Sequence, residues 1–227
     1  MRAIRSLGGL RLPPLAPAAQ LLQPPHHRLG FRGMSGHYEQ QSFAERYEAA
    51  FFYSSPAYMT HILRHIQDAF KLPDEQARIV DIGGGTGNFT HQLATIAGSR
   101  QKVLCVDNFE EMLRKAQHFA TLECLLMDAL GFAKLPPAEM RYSHVLLKEV
   151  IHHISPSDYV AMFEGMYKQL LPKGRLLIIT RPQEVNYPLF SRAKRIWREH
   201  QPPVEVIVNA LQVNDNRDIS YPTHSTI

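Results

Sequence analysis

The 227-residue chain has little cysteine: Cys105 and Cys124 are its only thiols. Both lie in apolar stretches that read as buried strands, so they are expected to be small core residues of a protein kept reduced, neither a disulfide scaffold nor a metal site. No apolar run approaches the roughly 20 residues that a membrane-spanning helix needs. Acid is missing from residues 1–38, which carry Arg2, Arg5, Arg11, Arg28 and Arg32. The other 189 residues hold 20 basic and 21 acidic groups, so the formal net charge of +4 is local to the start of the chain. With no basic stripe in the remainder, a nucleic-acid partner is not expected. What is present, 44% hydrophobic and 20% charged residues, suits one well-filled core.

The acid-free, arginine-containing segment 1–38 has the composition of a mitochondrial transit peptide, with Met1 to Leu12 as its amphipathic element. Pro13, Pro14, Pro17, Pro24 and Pro25 break any longer helix, and Met34 is an alternative start, so the segment reads equally as a disordered, untargeted tail. The first reading places the protein in the mitochondrion, the second in the cytoplasm. Residues 39–74 then read as an N-terminal helical cap. Phe43 to Tyr53 is rich in aromatics, and Ser55-Pro56 opens a helix with Tyr58, Ile62, Ile66 and Phe70 four residues apart. Most of these rings are expected to pack on a sheet, while Tyr38, Tyr47 and Tyr53 are pocket-wall candidates because each carries a polar tip.

The segment Ile79-Val80-Asp81-Ile82-Gly83-Gly84-Gly85-Thr86-Gly87-Asn88 is an apolar run that breaks into glycines just before a helical pattern. Such a strand–loop–helix turn lets a ligand approach the backbone, because Gly83, Gly85 and Gly87 lack a Cβ and tolerate positive φ. Asp81 stands near the strand's carboxyl end, where open α/β sheets bind their ligands. The dinucleotide fingerprint Gly-x-Gly-x-x-Gly needs a glycine at position 88, and Asn88 stands there. The stretch resembles instead the first motif of the class I S-adenosylmethionine-dependent methyltransferases, acid-x-Gly-x-Gly-x-Gly. The resemblance implies that the loop accommodates the methionine part of the cofactor; taken alone, the glycines are also compatible with a ligand-free turn.

The following segments extend that resemblance. Val103 to Asp107 is a short apolar run ending in a carboxylate 20 residues past Gly87. An acid there accepts hydrogen bonds from both ribose hydroxyls in the resembled family, and Asp107-Asn108-Phe109 to Leu113 is similar to its ribose and adenine segment. A third run, Leu122 to Met127, ends at Asp128, where the family has an acid near the adenine amino group; strands also end in Asp for turn chemistry alone. A fourth, Ser143 to Leu147, leads into Lys148-Glu149-Val150-Ile151-His152-His153. A helix is predicted over Ser157 to Leu171, capped by Ser155, and a fifth strand over Arg175 to Thr180 after a Pro-Lys-Gly turn. The order β-α-β-α-β-β-α-β predicts an α/β fold with a doubly wound, mostly parallel sheet. Residues 75–182 form the cofactor-binding core in this reading, and 183–227 a C-terminal part with helices over Pro188 to Glu199 and Pro203 to Leu211. The family's sheet closes with an antiparallel hairpin, for which only Asp218 to Tyr221 is strand-like, so an incomplete sheet, marginal stability and self-association are expected.

The resemblance implies in-line transfer of a methyl group, which needs chiefly geometry and a base only where the acceptor atom is protonated. Glu149, His152 and His153 follow strand four and are the candidate bases; the histidines also read as a packed turn. Paired histidines without a third ligand make no metal site. The Asn/Asp-Pro-Pro-aromatic motif of related enzymes that methylate planar amines is replaced by Lys148-Glu149-Val150-Ile151, which disfavours nucleobases. A small-molecule acceptor is the better expectation, with a catalytically silent cofactor-binding or assembly protein as the alternative.

Overall fold

The computed structural model describes residues 56–136, 141–181, 183 and 191–213. Helix α1 (Pro56–Phe70) buries Ile62, Ile66 and Phe70 of the predicted stripe, with Met59 and Leu63 beside them, while Tyr58 is half-buried. Then follow β1 (Ile79–Ile82), α2 (Asn88–Ala97), β2 (Val103–Asp107), α3 (Glu110–Ala116), β3 (Leu122–Leu126), α4 (Ala129–Lys134) and β4 (Tyr142–Lys148). Two single 3-10 turns, Ile151–His153 and Pro156–Asp158, lead into α5 (Tyr159–Lys168), β5 (Leu170–Ile179), α6 (Ser191–His200) and α7 (Val204–Gln212).

The five strands form one sheet in the order β3-β2-β1-β4-β5, every neighbouring pair parallel. Buried on both faces, they are near-continuous apolar runs rather than alternating ones. Their side chains divide by period two. Ile79, Val103, Cys105 and Leu146 join α1, α2 and α3 in one core, while Val80, Ile82, Val106, Val145 and Leu147 join α4, α5 and α7 in the other. Helices on both faces make the sheet doubly wound, as predicted.

Several local readings are corrected. Helix α4 was not predicted between strands three and four; at six residues it is too short to show an amphipathic period. Ser155 makes no cap bond to the backbone, and its hydroxyl instead pairs with Ser157 at 2.8 Å. Strand β5 starts earlier than Arg175: Leu170 pairs with Tyr142, and Pro172-Lys173-Gly174 forms an irregularity before His144 pairs with Arg175, with Lys173 at φ 65°. Cys105 is buried, but Cys124 is only half-buried. The leader with Tyr38, the segment Phe43 to Tyr53 with Tyr47 and Tyr53, and Asp218 to Tyr221 lie outside the described residues. Among the described residues no helix is long and apolar enough to cross a membrane.

Candidate functional site

Strand order reverses between β1 and β4, and at such a switch point the loops at the strands' carboxyl ends part to leave a crevice. The glycine loop leaves β1 on one side of it. Gly83 and Gly84 donate their N–H groups to Val106 O at 2.7 and 3.0 Å, which folds the loop across the end of β2. Gly83 and Gly87 both have φ 75°, and a Cβ at Gly83 would lie 2.2 Å from Val150 Cγ2, at Gly87 2.6 Å from Ala116 Cβ. At these two positions the protein itself occupies the space a side chain would need. Gly85 is different: its nearest neighbour to a Cβ, Met112 Cε, is 3.4 Å away.

Two acids flank the loop. Asp81 is 1% exposed, and Thr90 Oγ1 donates to its Oδ2 at 2.6 Å. Burial pushes its carboxyl up to about 6, with repulsion from Asp107 adding and the Thr90 hydroxyl and Lys148 opposing. Asp107 accepts the Gly85 N–H on Oδ2 and the Phe109 N–H on Oδ1, both at 2.9 Å, so one carboxylate ties the glycine loop to the start of α3. Burial raises its pKa, and the N–H groups of Phe109, Gly85 and Asn108 hold it down. A carboxylate offers about four lone-pair sites, so ribose hydroxyls remain within its capacity. Asn108 is exposed beside it. Asp128, offered as an adenine contact, caps α4: its Oδ1 accepts the Gly131 N–H at 2.6 Å. The strand-end acid thus signalled the helix that the sequence reading omitted.

Across the crevice, β4 ends in Lys148, whose Nζ lies 4.6 Å from the centre of the Phe89 ring. Burial lowers its pKa, opposed by Asp81 and Glu149. Glu149 follows with φ 59°, uncommon outside glycine, and donates its N–H to Ile179 O at 2.8 Å. Its side chain is 11% exposed and ion-paired to Arg181 Nε at 3.0 Å. Burial pushes the Glu149 carboxyl up to about 7, with Lys148 opposing. The Tyr58 hydroxyl of α1 is raised by burial and by Glu149. The rings of His152 and His153 lie 4.1 Å apart, tilted by 44°, in the 3-10 turn. His152 Nδ1 is buried without a hydrogen-bond partner, and burial, with His153 and His200, drives its pKa down to about 3.

The fold therefore brings Asp81, Gly83, Gly85, Gly87 and Asp107 to one edge of the crevice and Glu149 to the other. Thr90, Lys148, Arg181 and Tyr58 were not singled out as site residues in the sequence. Their partners are 9 to 91 positions away, which no local pattern reports. Among the described residues no three metal-ligating side chains cluster.

Residues 79–174 match the family described as "Methyltransferase domain". The sheet order over this segment is that of the class I methyltransferase fold. It is 23% identical over 152 residues to the ubiquinone/menaquinone biosynthesis C-methyltransferase of Haemophilus ducreyi, covering 65% of this chain and 56% of that protein. It is 29% identical over 151 residues to an uncharacterised methyltransferase-like protein of Schizosaccharomyces pombe, covering 66% and 54%. The chain spans a little over half the length of these curated relatives. Among solved structures, a methyltransferase described as SAM dependent from Aquifex aeolicus superposes with a TM-score of 0.57 at 18% identity, over 78% of this chain and 90% of that one. Phosphoethanolamine N-methyltransferase 2 of Haemonchus contortus, in complex with S-adenosyl-L-methionine, gives 0.58 at 23%, over 76% and 41%. At these identities the superpositions show the fold.

Proposed function

We propose that the protein binds S-adenosylmethionine in the crevice and transfers its methyl group to a small-molecule acceptor. The observation that carries this reading is the Gly85–Asp107 tie, 2.9 Å long at the switch point of a doubly wound sheet. It presents open backbone and a fixed carboxylate side by side, which suits a ligand with a zwitterionic end and a ribose diol. Gly83, Gly85 and Gly87 hold the amino-acid end, Asp81 attracts its ammonium group, Asp107 takes the ribose hydroxyls and Asn108 flanks the adenine; Asp128 has one oxygen left for the base. Bound there, the cofactor supplies an electrophilic methyl on sulfonium.

The chain's remaining task is to hold the acceptor in line, keep the site dry and, for a hydroxyl or protonated amine, take one proton. Glu149 is the better base. Its carboxyl, near 7, is matched to neutral pH, and it follows β4 at the switch point, ion-paired to Arg181 and close enough to raise the Tyr58 hydroxyl. His152, near 3, is a weak base however well placed, and His153 is solvent-exposed. In the same reading the leader is a mitochondrial address, and the edge position of β5, which pairs with β4 alone among the described residues, supports weak self-association.

Calorimetric titration with S-adenosylmethionine and S-adenosylhomocysteine tests the cofactor assignment. A screen of metabolite extracts for labelled methyl transfer, run on wild type and Glu149→Gln, tests the rest. Loss of transfer with cofactor affinity kept is the expected result for the variant; binding of NAD in place of both ligands would overturn the reading.

A further inference from the structure

Cys105 and Cys124 stand opposite each other in the register of β2 and β3. In a parallel pair, residues in register project to the same face with their Cα atoms about 4.8 Å apart, inside the range that a disulfide spans. Only Cys124, on the strand with a single partner among the described residues, has contact with solvent; Cys105 is 0% exposed. The pair also abuts the loop. A Cβ on Gly84 would lie 2.5 Å from Cys105 Sγ, and Thr90 Oγ1, which donates to Asp81, is 3.9 Å from that sulfur.

We propose that Cys124 and Cys105 form a peroxide-sensitive modification site whose oxidation to an intrachain disulfide weakens ligand binding at the glycine loop. The chemistry balances with hydrogen peroxide as the oxidant. The Cys124 thiolate attacks one oxygen, the O–O bond breaks, hydroxide leaves and Cys124 becomes a sulfenic acid. The Cys105 thiol then attacks that sulfur, forming the S–S bond and releasing water as its proton joins the departing hydroxide. Two electrons pass from the two sulfurs to the peroxide. The division of labour follows the structure: Cys124 is reachable and the neighbouring Cys105 lowers its thiol pKa, whereas Cys105 is enclosed and its own pKa is raised. Drawing the sulfurs together moves Cys105 Sγ away from its seat under Gly84 and beside Thr90. The hydroxyl that orders Asp81 then loses its packed neighbour. Exchange with a small dithiol returns both thiols, as a reversible switch requires.

The effect on binding rests on the cofactor reading above; the disulfide itself does not. The full chain, reduced and then treated with hydrogen peroxide, is examined by intact mass, thiol titration and calorimetry with S-adenosylhomocysteine. The expected results are a monomer lighter by two hydrogens, no remaining thiols, and an affinity for S-adenosylhomocysteine reduced at least fivefold and restored by dithiothreitol. Cys105→Ser should leave a sulfenic acid at Cys124 that dimedone traps, while Cys124→Ser should keep its thiol under the same treatment. Thiols that persist, a disulfide that joins two chains, or a disulfide that leaves the affinity unchanged would each overturn the proposal. Absence of binding by the reduced protein would instead strike the cofactor reading and leave the mass result to stand.

Discussion

Thr90 and Asp81 share a 2.6 Å hydrogen bond inside the core beneath the glycine loop, with Thr90 0% and Asp81 1% exposed. Removing the hydroxyl with Thr90→Val preserves shape and leaves a buried carboxylate short of a donor. The variant should lose about 1 to 3 kcal/mol of stability at neutral pH, the scale of an unsatisfied buried group. Urea unfolding of both proteins measures it, and an unchanged midpoint would show that Asp81 is satisfied without Thr90.

Gly85→Ala and Gly87→Ala should separate folding from binding. Both residues have positive φ, but only at Gly87 would the new methyl strike a backbone atom, Ala116 Cα at 2.8 Å. Gly87→Ala is expected to cost about 2 to 4 kcal/mol, and Gly85→Ala about 1 kcal/mol. Thermal melting gives the stability order, and S-adenosylhomocysteine titration of Gly85→Ala should show the larger loss of affinity.

The raised carboxyl of Glu149 carries a pH signature. With a folded value near 7 against an ordinary 4.5, the folded protein holds a proton that the unfolded chain releases. Its contribution is therefore fully present below pH 4.5 and is lost as pH rises through about 7. His152, lowered to about 3, acts in the opposite sense, its contribution being lost as pH falls from 6.5 towards 3. The unfolding free energy between pH 5 and pH 8 should fall less steeply in Glu149→Gln than in wild type, by on the order of 2 kcal/mol across the range. Equal slopes would mean that Glu149 is ionised throughout.

The acid-free leader makes a separate prediction. Residues 1–33 fused to a fluorescent reporter should direct it to mitochondria. Diffuse cytosolic fluorescence would remove the address and make Met34 the more meaningful start.

The meeting of the glycine loop with Asp107 was legible in the sequence because its parts are local. Glycines at 83, 85 and 87 and an acid closing the next strand are patterns of spacing, and the fold keeps them adjacent through one parallel pairing, β1 with β2. The sheet followed from five short apolar runs. The surroundings of Glu149 were less legible. Glu149 could be named from its place after β4, but its character depends on Arg181, Tyr58 and Lys148, which are brought to it by β5, by α1 and by burial. Helix α4 was missed because Asp128 was read for a ligand rather than for the Gly131 N–H it caps. The register that sets Cys105 against Cys124 appears only once β2 and β3 are paired.

The most direct test of the central claim is calorimetric titration of S-adenosylhomocysteine into wild type and Asp107→Ala, with NAD as a control ligand. Asp107 both ties the loop through Gly85 and offers its remaining lone pairs to a ribose. Wild type should bind S-adenosylhomocysteine and ignore NAD, and the variant should bind about 1.5 to 3 kcal/mol more weakly, the scale of a lost hydrogen bond to a charged group. Equal affinity in a folded Asp107→Ala, or tight binding of NAD by wild type, would contradict the account.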